Sequence, residues 1–526
     1  MTDDALTTPF WLHLPIDRIG LWLGPALMVG WIHLGPTGDL SPEAHRLAGI
    51  LLLTITWWLT EPIPIPATAL LSVSLCVFLG AIPGAGTPNF KPAQVALEKL
   101  AEPSVYFLLG GLFLGRAMTR HGLDRRLALS LLCTNWAGRS PGTLLAALGL
   151  AVATISMWVS NTAATAMMYP VTLGIIAVLA AGSTEGEARF ARSPYASGLL
   201  MMTAYASSVG GIATPIGTAT NVFALGTLRN TEYLGRSADF LRWTLVGVPM
   251  MLVIMLGLTW WMNLRSPATG LDMPSLRGFL REQQRSLGRW KRGEINTLLV
   301  FLFAVCMWVA PGVRALTADT KTADWFTRQF PEEIVAIMIP VLLFLLPVDW
   351  KERKFSLEPD DLAKVDWGVI LLFGCGLSLG NLMFKTGLAE SAGKAIFQQL
   401  ESVFDQAGLG APGVWTITAV AIVAGIVLSE FTSNVAAATA LLPVVLAISK
   451  QAGVDPVPPL FGVTFAASFG SALPVSTPPN AIVYGSGLLP VRRMIVAGLG
   501  MDLLCAIVIW IVLRAAFALG WSPFAS

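Results

Sequence analysis

Charge is what this chain has least of. Only 13% of its 526 residues are Asp, Glu, Lys or Arg, where soluble proteins carry roughly 25%, and that deficit excludes a water-facing surface over most of its length. The charges present nearly cancel, at a formal +2. They fall in short clusters between apolar runs rather than on one broad basic face, which argues against nucleic-acid binding. Cysteine and histidine are sparse as well. Cys76, Cys133, Cys306, Cys375 and Cys505 are scattered without paired spacing, so they read as free thiols rather than disulfides or metal ligands. His13, His33, His45 and His121 show none of the local spacing of a zinc site. The start, MTDDALTTPF, lacks the basic segment and small-residue cleavage site of a signal peptide, so the N-terminus is expected to be retained.

What is abundant is hydrocarbon. Hydrophobic residues make up 54% of the chain, and runs such as 67–79, 243–264, 297–310 and 503–519 approach or reach the ~20 residues that span a bilayer as a helix. The alternating pattern of a membrane barrel is missing, and backbone groups in lipid must be satisfied internally. The fold class expected is therefore an all-α polytopic membrane protein. Crossings are placed near residues 19–34, 47–60 and 64–83, the last two separated by TEPIPIPAT (60–68), whose prolines force a turn. Residues 84–100 are more polar and read as an exposed loop.

The chain also repeats itself. SNTAATAMMYP at 160–170 returns as SNVAAATALLP at 433–443. GLFLGRAMTRHGL from Gly111 aligns with GLSLGNLMFKTGL from Gly376, pairing Gly115 with Gly380, Met118 with Met383 and Gly122 with Gly387. A second polar break follows in each half, TPIGTATN (214–221) and LPVSTPPN (473–480), pairing Gly217 with Ser476 and Thr218 with Thr477. Duplication in this order is what inverted-repeat transporters show. Each SN motif lies between two apolar arms, 141–181 and 412–450, read as re-entrant hairpins with tips near mid-membrane; two kinked crossings are the alternative.

The basic clusters set the topology. Arg277, Arg281, Arg285 and Arg289 recur at one-turn spacing within 265–292, the pattern of a solvated or membrane-surface cytoplasmic helix. Further clusters lie at 116–139, at 351–354 and at Arg492 with Arg493. A cytoplasmic N-terminus, about eleven crossings and two hairpins place all of them inside and the C-terminus outside.

Polar groups in such flanks are costly unless they are used. Broken helices offer amide N–H groups to an anion, and unwound carbonyls with hydroxyls to a cation; an Asn side chain presents both a donor and an acceptor. Ser160, Asn161, Thr162, Ser433 and Asn434 are the central candidates. One cation site is expected from Ser156, Ser160, Asn161 and the Gly217 carbonyl, the other from Ser429, Thr432, Asn434 and the Ser476 carbonyl. Ser156 and Ser429 stand about one turn before the motifs; the competing reading is a serine bonded to its own helix. Glu430 adjoins the second motif where the first has Met157, and reads either as a hydrogen-bond partner of the hairpin backbone or as a proton-coupling group.

SMWVSNTAAT, TPIGTATN, SEFTSNV and LPVSTPPNAIVYGSG, with WWLTEPIP from Trp57 and LFGCGLSLG from Leu372, resemble the divalent anion sodium symporter family of sodium-coupled dicarboxylate and citrate carriers, over nearly the whole chain. The resemblance implies a homodimer in which a scaffold domain makes the dimer contact and a transport domain moves as an elevator, sodium binding first. On that division residues 1–106 and 229–370 are scaffold, with the basic segment 265–292; residues 107–228 and 371–490 carry the transport elements, and 491–526 hold the last crossing. It implies carboxylate contacts at Asn161, Thr162 and Asn434, and by extension at Thr218 and Thr477. Val435 departs from the pattern by removing a hydroxyl, and Ala219 and Thr220 stand where a TPPN-like run is expected.

The function expected is sodium-coupled import of C4-dicarboxylates such as succinate, malate or fumarate across the cell membrane, a bacterial inner membrane by its short loops. A sodium-independent exchanger, or a citrate or sulfate carrier, is the alternative within transport. An intramembrane enzyme with Ser160 or Ser433 as nucleophile lacks a base, since neither motif contains His, Lys or Asp. A channel differs in that its flux neither saturates nor runs uphill.

Overall fold

The computed structural model describes residues 16–36, 40–84, 90–183, 186–229, 239–268, 271–316, 320–408 and 410–519. The expected retained N-terminus, residues 85–89 of the 84–100 stretch and the expected outward C-terminus lie outside the described residues.

Apolar runs fold as helices, and a single interior proline does not prevent it, Pro25 lying inside the first. The chain opens with α1 (Ile16–His33), α2 (Pro42–Thr60) and α3 (Ile65–Phe78). Ser41 starts α2 by accepting the Ala44 N–H, and α2 stops where Glu61 takes φ 45° ahead of Pro62 and Pro64. The stretch expected to be a loop at 84–100 instead carries α4 (Pro92–Leu97) and a 3-10 turn, Glu98–Ala101. Pro92 suits a first helical turn, and the Ala, Gln and Leu that follow are good helix formers.

The first repeat follows as α5 (Pro103–His121), α6 (Leu123–Leu132), α7 (Pro141–Ser156), α8 (Asn161–Ala181), α9 (Glu187–Ala191), α10 (Pro194–Gly211) and α11 (Ala219–Arg229). A connecting region holds α12 (Phe240–Arg265), α13 (Met273–Ser286), α14 (Arg292–Leu316), α15 (Thr320–Gln329), α16 (Glu332–Leu345) and α17 (Pro359–Leu362). Between α16 and α17 lies a two-stranded antiparallel hairpin, β1 (Pro347–Asp349) and β2 (Lys354–Phe355), the departure from an all-helical reading among the described residues. The second repeat is α18 (Trp367–Lys385), α19 (Leu388–Gln406), α20 (Val414–Phe431), α21 (Asn434–Gln451), α22 (Val457–Ala466) and α23 (Pro478–Tyr484), closed by α24 (Val491–Ala518). The two halves turn in the same way: Gly122 joins α5 to α6 at φ 74°, and Gly387 joins α18 to α19 at φ 78°. Left-handed backbone of this kind favours glycine, so the alignment of these two glycines marks the same joint.

Among the described residues, α8, α12, α14, α18, α20, α21 and α24 are long and apolar enough to cross a membrane, and α3, α7 and α22 are apolar but shorter. Burial sorts them into layers. Only 33% of the α14 and α24 windows is buried, with Leu299 and Leu503 turned outward, against 67% of the α18 window. The interrupted helices are the innermost: every residue of α10 from Tyr195 to Gly211 is buried, as is all of α22. A helix apolar all round belongs at the centre of its molecule. Around this centre the repeats interlock, because α11 packs on α21 and α22 while α23 packs on α8 and α10.

The basic clusters are partly structural. Arg116 and Arg120 pair with Asp361, binding α5 to α17, and Arg126 pairs with Glu294 at 3.0 Å.

Candidate functional site

Each hairpin tip is a helix end followed at once by a helix start. Ser160 caps α8 by accepting the Ala163 N–H at 3.3 Å, and Ser433 caps α21 by accepting the Ala436 N–H at 3.2 Å. A serine oxygen at this position satisfies one of the free N–H groups of the first turn. The helix then starts on the asparagine.

Behind each tip, oxygens outnumber protons. The Ser156 Oγ lies 2.8 Å from Asn161 Oδ1 and 2.7 Å from the Ser207 carbonyl. In the second half the Ser429 Oγ lies 2.9 Å from Asn434 Oδ1 and 2.9 Å from the Ala467 carbonyl. One hydroxyl proton faces two acceptors in each case, which leaves oxygen lone pairs converging without a donor. That is the environment in which a small cation replaces its water shell. Gly211 abuts the first cluster so closely that a Cβ there would stand 2.4 Å from Asn161 Oδ1, and one at Gly470 would stand 2.6 Å from the Ser429 carbonyl.

The helix breaks are clamped by a pair of asparagines that sequence reasoning gave no role. Asn221 Nδ2 donates to the carbonyls of Gly211 (2.9 Å) and Thr214 (2.8 Å). Asn480 Nδ2 donates to the carbonyls of Gly470 (2.9 Å) and Leu473 (3.0 Å). One register relates all six residues. The signal was present, since both break motifs end in Asn. Gly217 lies against the Gly211 carbonyl, a Cβ there coming within 2.4 Å of it, and Gly211 in turn abuts Asn161.

A line of polar contacts joins the halves. Asn434 Nδ2 donates to the Ser468 carbonyl at 3.3 Å, the Ser468 hydroxyl meets Thr220 Oγ1 at 3.1 Å, and Thr220 Oγ1 donates to Thr218 Oγ1 at 3.4 Å. Thr220, noted in the sequence as a departure, thereby links the first break to the second. Thr477 caps α23 by accepting the Asn480 N–H at 3.4 Å. Pro478 and Pro479 follow it and have no N–H, whereas α11 begins with Ala219 and Thr220, which do. The N-termini of α8, α11 and α21 all open at these junctions, with the positive ends of their dipoles there.

Exposure separates two kinds of group. Ser156, Ser429, Gly217, Ser476 and Thr477 are buried; Asn161, Thr218, Ser433 and Asn434 are half-buried, and Ser160 and Thr162 are exposed at the first tip.

One expected ligand points elsewhere. Thr432 leaves α20 in extended conformation, φ −145° and ψ 172°, and its hydroxyl donates to the Trp58 carbonyl of α2 at 2.9 Å, away from the Ser429–Asn434 pair. The Ser476 hydroxyl donates to Glu430 Oε2 at 2.7 Å. Glu430 also accepts the N–H groups of Ala472 (2.8 Å) and Leu473 (3.1 Å), so it binds the break opposite rather than its own hairpin. Asp502 on α24, absent from the sequence candidates, accepts the neighbouring Ser471 N–H at 3.2 Å. Its signal was an acid within a long apolar run.

Two helix–turn–helix tips, each backed by an interrupted helix and packed on the opposite repeat, define a multi-pass membrane protein of the broken-helix class. The model of the sodium:sulfate symporter transmembrane region matches residues 22–524, and the chain belongs to that family. It is similar to the sodium-dependent dicarboxylate transporter SdcS of Staphylococcus saprophyticus, 33% identical over 504 residues, which is 94% of this chain and 90% of that protein. It is also similar to SdcS of Staphylococcus aureus strain NCTC 8325, 32% identical over 499 residues with the same coverage. Among solved structures, that of the Alcanivorax borkumensis YdaH transporter covers 97% of this chain and 100% of its own, with TM-score 0.54 and 14% identity, a likeness of fold.

Proposed function

We propose that this protein is a secondary active transporter that imports C4-dicarboxylates such as succinate, malate or fumarate together with sodium. The observation that carries the reading is the twofold Ser–Asn oxygen cluster, Ser156 with Asn161 and Ser429 with Asn434, set behind two helix N-termini. Sodium takes oxygens from Ser156, Asn161, Ser160 and the Gly217 carbonyl in one half and from Ser429, Asn434 and the Ser476 carbonyl in the other. The dianion takes the accessible donors: Asn161, Thr162, Ser433 and Asn434, with Thr218 and Thr477 flanking. Cation and anion thus share the two asparagines, so filling the oxygen cluster orients each amide and adds positive charge where a carboxylate docks. That sharing is the physical basis of coupling.

In this reading the protein is a homodimer with about eleven crossings per protomer. The hairpins are re-entrant, and the transport elements slide as a body along a scaffold made of the first three helices and the connecting region. Relatives named as sodium-dependent dicarboxylate transporters support the ion and the substrate class. The test is uptake of labelled succinate into proteoliposomes. Accumulation above the external concentration is expected with an inward sodium gradient, with no accumulation when potassium replaces sodium. Equal uptake in both would point to a sodium-independent exchanger, and competition by citrate or sulfate stronger than by malate would shift the substrate.

A further inference from the structure

The second break is backed by two acids that the first break lacks. Gly247 of α12 lies so close to the carbonyls of Ile212 and Ala213 that a Cβ there would collide with them, and Gly498 of α24 lies in the same way against Ser471 and Ala472. These contacts put α12 and α24 in the same register behind their breaks. One turn further along, α12 carries Met251 and α24 carries Asp502; on the hairpin arms, Met157 stands where the second half has Glu430. Two methionines in one repeat are thus two carboxyl groups in the other. The first break is held without acids, Thr214 Oγ1 donating to the Met157 carbonyl and Trp243 Nε1 to the Ile212 carbonyl.

The two acids divide three consecutive amides between them. Asp502 accepts the Ser471 N–H at 3.2 Å; Glu430 accepts those of Ala472 at 2.8 Å and Leu473 at 3.1 Å, and the Ser476 hydroxyl at 2.7 Å. The carboxyls lie within hydrogen-bond reach of each other. Asp502 is 5% and Glu430 7% exposed, and neither has an ion-pair partner among the described residues. Asp502 Oδ2 is buried with no donor directed to it. Two carboxylates in contact, out of water and unopposed by a cation, do not both ionise. Glu430 already accepts from three donors, the surroundings of a carboxylate, and of its roughly four acceptor sites one is left. Oxygens this close leave space between them for a proton.

We infer that Asp502 is a positioning residue of the second cation site: protonated on Oδ2, it donates to Glu430 and fixes the carboxylate that gathers residues 472–476 around the Ser476 carbonyl. It acts through Glu430 rather than on the ion itself. The brace assumes nothing about cargo, whereas its bearing on a cation rests on the transport reading above. Met157 and Met251 have no proton to share, so the first cation site has no counterpart of this brace.

The test uses the purified full-length protein. Its infrared spectrum in heavy water at neutral pH is expected to show the carbonyl stretch of a protonated carboxylic acid, and Asp502→Asn to remove that band. Asparagine keeps an acceptor for Ser471 and a donor for Glu430, so hydrogen exchange in 470–477 and the sodium concentration for half-maximal succinate uptake should match the parent's. Asp502→Leu keeps neither. Exchange in 470–477 is expected to rise and half-maximal sodium to increase about tenfold, as for the loss of one hydrogen bond to a charged group, with maximal uptake at saturating sodium unchanged. Met251→Leu, at the matching position of α12, is expected to alter none of these. Absence of the band, an asparagine variant that behaves as the leucine one or fails to assemble, or a leucine variant equal to the parent overturns the inference. If Asp502→Leu does not fold, the band and the asparagine variant decide it. Sodium-independent uptake by the parent fails the transport reading alone, because the band and the exchange report on the brace without transport.

Discussion

Asn161 and Asn434 each turn a carbonyl oxygen inward to a serine while sitting at the first position of a helix whose N–H groups face the tip. Removing the serine is therefore the cleanest way to weaken the cation while sparing the anion donors. Ser156→Ala and Ser429→Ala are each expected to weaken apparent sodium affinity about tenfold, in line with about 1.5 kcal/mol for one oxygen contact to a charge. Maximal uptake at saturating sodium should stay within about twofold, as read from sodium titrations of succinate transport. The motif residues were legible because hydroxyls and amides in hydrocarbon stand out. Where a side chain turns was not legible: Thr432 was as plausible a ligand as Ser429, and only the extended backbone after α20 shows it directed to Trp58. Asp502 was missed because its role, holding the Ser471 N–H, depends on which loop α24 happens to pack against.

The elements that matter most are the interrupted helices, and their interruptions are built rather than merely permitted. In the second break, Asn480 holds two carbonyls, Glu430 holds two N–H groups and a hydroxyl, and Asp502 holds a further N–H. Asn480→Ala strands two carbonyls, which at about 1–3 kcal/mol each is enough to remodel the loop. Uptake is expected to fall at least about tenfold, and hydrogen exchange in 470–477 to rise, with the rest of the protein unchanged. Asn221→Ala should do the same in 211–217. The paired Gly122 and Gly387 joints show how far the internal alignment reached, since both take the left-handed turn that glycine favours. The stretch at 84–100 shows where it stopped, because its polarity concealed the helix formers of α4.

A contact between elements also bears on motion. The Ser41 hydroxyl at the head of α2 donates to the Thr386 carbonyl at the end of α18, at 3.3 Å. If α2 stays with the scaffold while α18 travels with the site, that contact exists in one state alone. Ser41→Cys with Thr386→Cys, oxidised to a disulfide, is then expected to arrest uptake, and a reductant to restore it. Full transport by the cross-linked protein would place both helices in one body.

At the scale of the whole molecule, burial rises from the outer spans to α10 and α22, and the first polar break is buried almost throughout, while the second turns Val475 and Pro478 outward. The class of membrane protein followed from composition alone. The interlocking of the halves, α11 on α21 and α23 on α8, did not, because packing across repeats leaves no periodic trace in either one. On the proposed function the interlocked halves share one site between Asn161 and Asn434, 273 residues apart in the sequence, and neither half is expected to work alone. The direct test is sodium-driven uptake of labelled succinate by Asn161→Ala and Asn434→Ala proteins reconstituted beside the parent at equal density. Both variants are expected to fall to the level of empty vesicles while eluting on gel filtration as the parent does; uptake at the parent's rate in either one would contradict a shared site.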